Sequence, residues 1–102
     1  MKRYCGYRDS NGEAHARVER WEQNQWVNLG DIDPRNDIRN HSPDGIEWGY
    51  GGSGPAQLAI AILMDVYGNK ITTLQHYMDF KWAKIANLPR ENDATWCITE
   101  SE

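Results

Sequence analysis

Four groups of residues have the types and spacing that chemistry uses. The first is the run W-G-Y-G-G-S-G-P-A from Trp48 to Ala56, four glycines set directly before an apolar stretch. Glycine-rich backbone at a helix start points N–H groups at an anion, and the positive end of the helix dipole favours its charge. An anion or nucleotide would rest on Gly51, Gly52, Ser53 and Gly54, with Arg35, Arg39 or His41 adding charge. Against this, the run lacks the Lys-Ser/Thr of a Walker A loop, and its glycine spacing is not that of a dinucleotide fingerprint. Pro55 also removes one N–H donor. The competing reading is a tight bend that carries backbone close to a neighbouring element. The second group is Ser53, His41 and Asp37, which could be drawn as nucleophile, base and orienting acid. Ser53 does not stand in the G-x-S-x-G elbow, however, so no catalytic residue is expected and the chain reads as a non-enzyme, with a small hydrolase or transferase the last of the alternatives.

The third group is Asp31-x-Asp33 with Asp37, similar to a calcium loop except that Arg35 stands where an oxygen ligand is needed. His15, His41 and His76 lack the spacing of a zinc site, so neither metal nor cofactor is expected. The fourth is the acidic middle of the chain, Asp31, Asp33, Asp37, Asp44 and Glu47, leading into Trp48 and Tyr50. Carboxylates beside aromatic anchors suit a contact with a basic protein surface. The bland reading is a solvated loop in which Arg35 and Arg39 pair with neighbouring aspartates.

These residues need elements to hold them. Residues 3–8 and 14–21 read as a β-hairpin around the turn D-S-N-G at 9–12, because Ala14, Ala16 and Val18 alternate with His15, Arg17 and Glu19. A short strand at 26–29 completes the N-terminal strands, residues 3–29. Residues 30–54 form a long loop with the turn S-P-D-G at 42–45 and a brief strand at 46–50. A buried helix over 55–68 starts with Pro55 at its first position, capped by Ser53 or Gly54, and stops at Gly68. Of its side chains from Ala56 to Tyr67, only Gln57 and Asp65 are strongly polar. An amphipathic helix over 72–88 turns Leu74, Tyr77, Met78, Ile85 and Leu88 inward with Lys81 as the exception, and Pro89 ends it. A polar link at 90–93 leads to a last strand at 94–99. The order β-β-β-loop-α-α-β predicts an α+β fold, a small antiparallel sheet of three to four strands with two helices packed on one face.

The 102 residues suffice for a single domain with one core. A net charge of −4 is not the footprint of a nucleic-acid-binding protein, so direct DNA binding is not expected. The first strand pair is nevertheless basic, with Lys2, Arg3, Arg8, Arg17 and Arg20. Five tryptophans exceed ordinary usage and suit packing or interface anchoring. The opening M-K-R-Y-C-G-Y-R-D-S has no apolar run, so a cytoplasmic protein is expected, with Cys5 and Cys97 as reduced thiols that pairing of the terminal strands could bring close. No stretch is long enough to span a membrane.

The run S-P-D-G-I-E-W-G-Y-G-G-S-G-P-A-Q-L-A at 42–59, Y-x-x-F-K-x-x-x-I-A-x-L-P at 77–89, Trp96 and the opening R-Y-x-G-Y-R at 3–8 together cover nearly the whole chain. In these segments it resembles a family of small proteins of unknown function, scattered among phages, plasmids and bacterial or archaeal genomes. The resemblance carries no activity. Its genomic context implies a mobile-element protein, an anti-defence inhibitor of the anti-CRISPR kind. Its partner would be a host defence protein or nucleoprotein complex, blocked at its nucleic-acid surface, or a signalling nucleotide, sequestered.

Overall fold

The structure, a computed structural model, describes residues 1–91 and 94–100. Its elements run β-β-β-α-α-β, a four-stranded antiparallel sheet and two helices, an α+β fold. They sort into two compact units, one of Met1–Ile32 with Glu91–Glu102, the other Asp33–Arg90. Among the described residues, no helix is long and apolar enough to cross a membrane.

The first unit is the sheet. Strands β1 (Lys2–Arg8), β2 (Ala14–Glu22), β3 (Gln25–Asp31) and β4 (Trp96–Thr99) lie in the order β3-β2-β1-β4. Asp9 builds the first turn, its Oδ1 accepting the N–H of Asn11 at 2.8 Å and of Glu13 at 3.0 Å. Gln23 and Asn24 make the second, a two-residue hairpin loop with φ of 49° and 66°, whose left-handed backbone matches the twist of the strands. The register places Tyr4, Gly6, Ala16, Val18, Trp96 and Ile98 on one face, all buried. Arg3, Cys5, Arg17, Glu19, Cys97 and Thr99 share the other. The alternation read along 14–19 is therefore present, but Glu19 on the polar side is 8% exposed rather than solvated.

The thiols are not free as expected. Cys5 and Cys97 face each other in the β1–β4 register with Cα atoms 4.1 Å apart, and their sulfurs are bonded. Antiparallel pairing of the first and last strands brings them together across a separation of 92 residues, as strands near the two chain ends allow.

The second unit holds a loop, then α1 (Ser53–Tyr67), α2 (Lys70–Ala83) and one turn of 3₁₀ helix at Ile85–Asn87. Helix α1 begins earlier than expected, with Gly52 as N-cap and Pro55 at the third position, still within the first turn where its N–H is not needed. Its residues from Gly54 to Met64 are all buried, as befits a helix apolar nearly all round. Gly68, φ 62°, closes α1 by donating to Met64 O, and the Asn69 side chain caps α2 by accepting from Thr72 N at 3.0 Å. The second helix thus starts two residues before 72 and gives way to 3₁₀ geometry well before 88. Tyr77 and Ile85 on its expected inner face are buried, whereas Met78 is 42% exposed. Residues 46–50 are not a strand. The last strand starts at Trp96 rather than 94, and two residues of the expected link, 92 and 93, lie outside the described residues.

Candidate functional site

The loop from Asp33 to Gly52 lacks regular structure, yet it is fastened at several points. Gln57 holds it most firmly. This side chain, wholly buried in α1, accepts the N–H of His41 at 2.8 Å and of Ser42 at 3.2 Å through Oε1, and donates through Nε2 to Pro34 O at 2.6 Å. A buried amide is stable only when its polar atoms are met, so the loop and the helix satisfy each other. Further along, Trp48 is wholly buried and donates Nε1–H to Pro89 O at 2.9 Å. Gly49 N–H then donates to Ile85 O at 3.0 Å. Gly49 stands at φ 85°, and a Cβ there would lie 3.0 Å from Leu88 O, so both conformation and space require glycine.

Between these fastenings the acidic residues face solvent. Asp33, Asp37 and Asp44 are exposed and Glu47 is half-buried. Arg35 chelates Asp37, with Nε to Oδ1 and Nη2 to Oδ2 both 3.0 Å. The pairing raises the guanidinium pKa and holds the Asp37 carboxyl below its ordinary range. Arg39 and His41 turn elsewhere. Arg39 Nη1 donates to Tyr77 Oη at 3.4 Å, and His41 Nε2 stands 2.8 Å from the same oxygen. Asp37 is therefore committed to Arg35 and His41 to Tyr77, so the trio Ser53, His41 and Asp37 does not assemble. Trp48, expected as a surface anchor, is corrected to a core residue. Tyr50 remains at the surface, 38% exposed, with the Arg90 guanidinium stacked 4.5 Å from its ring centroid.

The glycine run is a place of close approach. A Cβ on Gly51 would lie 2.1 Å from the Trp82 ring, and one on Gly52 would lie 2.3 Å from the Tyr50 ring. A Cβ on Gly54 would lie 2.7 Å from Glu47 Cβ. Lys81, expected to break the inner face of α2, is 4% exposed, donates to Gly51 O at 3.4 Å and lies 4.3 Å from the Trp82 ring centroid. Its ammonium is thus met by a carbonyl and a ring face. Two aromatic rings and an acid occupy the space a side chain would need at Gly51, Gly52 and Gly54.

Asp31 belongs to the sheet unit. There Tyr7 Oη donates to its Oδ1 at 3.1 Å, and its Oδ2 is 3.3 Å from His15 Nδ1. His15 Nε2 is 2.8 Å from Asp9 Oδ2, and the imidazole stacks on Tyr7. The hydrogen bond to Asp9 raises the His15 pKa and lowers that of Asp9. Oxygens of Asp9 and Glu13 and a His15 nitrogen lie within 4.8 Å of one another, a possible ligand set. The Asp9–His15 hydrogen bond and the turn N–H groups on Asp9 already engage two of those residues.

Sequence reasoning missed Gln57 as a fastening and Glu19 as a centre of charge. Arg3 Nε donates to Glu19 Oε1, 2.6 Å away, and Arg17 Nε donates to Oε2 at 3.2 Å. The Arg3 bond chiefly, with Arg17 behind it, holds the Glu19 carboxyl below the usual range. Arg3 in turn stacks 4.1 Å from the Trp26 ring. Alternation along 14–19 placed these charges on one face, and the basic character of β1 and β2 was the available signal.

A family model described as "Family of unknown function (DUF6166)" matches residues 4–102. The chain belongs to this family. No curated protein and no solved structure matches it.

Proposed function

We propose that this DUF6166 chain is a non-enzymatic binding protein of a phage or other mobile element. It inhibits a host defence complex by occupying the basic surface on which that complex holds nucleic acid. The observation that carries this reading is the Gln57 fastening. A loop of twenty residues rich in Asp, Asn, Gly and Pro would ordinarily sample many conformations. Three hydrogen bonds to one buried amide hold Pro34, His41 and Ser42 to α1 instead. Asp33, Asp44 and Glu47 are thereby presented on backbone whose ordering cost has been met within the free protein, which is what preorganised recognition requires. Tyr50, exposed beside them in sequence, supplies an aromatic contact.

The Trp82 and Tyr50 rings approach Gly51 and Gly52 so closely that a Cβ would meet them, which accounts for these glycines by packing and favours this reading over a nucleotide site on Gly51–Gly54. Affinity capture tests it. Immobilised on a support, the wild-type chain retains a nucleic-acid-binding protein complex from host extract at low salt, and added nucleic acid displaces it. The double variant Asp33→Lys/Asp44→Lys loses retention by about tenfold or more, because each reversal sets like charge against the partner. Absence of specific retention, or retention indifferent to charge reversal and to nucleic acid, contradicts the proposal.

A further inference from the structure

We propose that Cys97 is a thiol-exchange site and that the Cys5–Cys97 bond is a redox latch on β4. The observations behind it lie in the sheet unit and are independent of the acidic loop. Among the described residues β4 is an edge strand of four residues, paired to β1 alone. Its ladder to β1 is four residue pairs long, one of them Cys5↔Cys97. The two residues differ sharply in exposure. Cys5 is 1% exposed, whereas Cys97 is exposed. A low-molecular-weight thiolate of the glutathione class can therefore reach the Cys97 sulfur and not that of Cys5.

The exchange balances in two steps. The incoming thiolate attacks Cys97 Sγ, a mixed disulfide forms, and the Cys5–Cys97 bond breaks with its electron pair leaving on Cys5. Cys5 takes up a proton. A second thiol then attacks the mixed disulfide, releasing Cys97 as a thiol and the small molecule as its disulfide. Two small thiols are oxidised and one protein disulfide is reduced. The fold holds a partner ready for the buried product. Cys5 Sγ lies 3.7 Å from Glu19 Oε1, a distance at which a thiol donates S–H···O to a carboxylate. Arg3 and Arg17 fix that carboxylate in place and keep it ionised. Glu19 thus receives the reduced form of Cys5 without rearrangement, while β4 loses the bond that ties the chain's last strand to its first.

The test uses the full chain and the glutathione couple, read by mass spectrometry and hydrogen exchange. Treated with oxidised glutathione, the wild type carries no free thiol. Under reduced glutathione, quenching with an alkylating agent traps glutathione on Cys97 and not on Cys5. The Cys5→Ser variant takes one glutathione at Cys97. In Cys97→Ser, Cys5 reacts at least about tenfold more slowly. The amides of Trp96–Thr99 exchange at least about tenfold faster in the reduced wild type than in the oxidised one. Free thiols persisting under oxidised glutathione overturn the proposal, as do adducts trapped equally on both cysteines or equal exchange of β4 in both states. The trapping and exchange arms need no variant, so they decide the matter even where a serine substitution prevents folding.

Discussion

His15 divides its ring between two carboxylates. Its Nε2 meets Asp9 at 2.8 Å and its Nδ1 meets Asp31 at 3.3 Å, so the protonated ring is the form both acids favour. A pKa raised on folding contributes stability that is fully present below the unfolded value, about 6.5, and is lost as pH rises through the folded value. Asp9 runs the other way. Its lowered pKa contributes above the unfolded value of about 3.9 and is lost as pH falls through the folded one. The pair therefore favours the window between about pH 4 and 6.5. The urea midpoint of the wild type declines as pH is raised above about 6.5, and the decline is shallower in His15→Gln. Parallel curves for the two proteins would show that His15 gains nothing from its neighbours.

At the scale of elements, the contact between α1 and the loop depends on Gln57. Gln57→Leu keeps the volume roughly but strands two N–H groups and one carbonyl that Gln57 now satisfies. Unfolding in urea should show a loss of about 2–4 kcal/mol. A change below about 0.5 kcal/mol would mean that water replaces the amide at little cost. The elements themselves were largely legible in the sequence. Alternation from Ala14 to Val18, turn residues after Arg8, and Gly68 after an apolar run are local signals that tertiary context here reinforces. The candidate site was legible only in part. The glycine run, the Arg35–Asp37 pair and the exposed acids could be named from sequence. That Trp48 lies in the core could not, because its partner Pro89 is 41 residues away. Nor could the burial of Lys81 against Gly51, thirty residues away, or the bond between Cys5 and Cys97, although strands near the two chain ends suggest that the two sulfurs could be close. Each depends on which distant backbone arrives beside a residue, and hydrophobic period carries no record of that. Gln57 is the sharpest case, since a lone polar residue on an apolar helix reads as an exception until the loop it holds is seen.

As a whole the molecule has a disulfide-linked sheet unit and a helical unit whose acidic loop is held in place by its own hydrogen bonds. The family is one of unknown function, so the ordering of the loop in the free chain bears the weight. Its cause is specific: His41 and Ser42 donate their amides to Gln57, and Gly49 donates to Ile85. Salt and charge reversal speak to what the loop binds, whereas amide exchange speaks to whether it is ordered beforehand. Native-state hydrogen exchange of the free chain is the most direct measurement. The amides of His41, Ser42 and Gly49 should exchange at least about 100-fold more slowly than an unstructured peptide of the same sequence. Exchange of these three amides at the unstructured rate, in a chain whose α1 amides remain protected, would contradict the ordering of the loop.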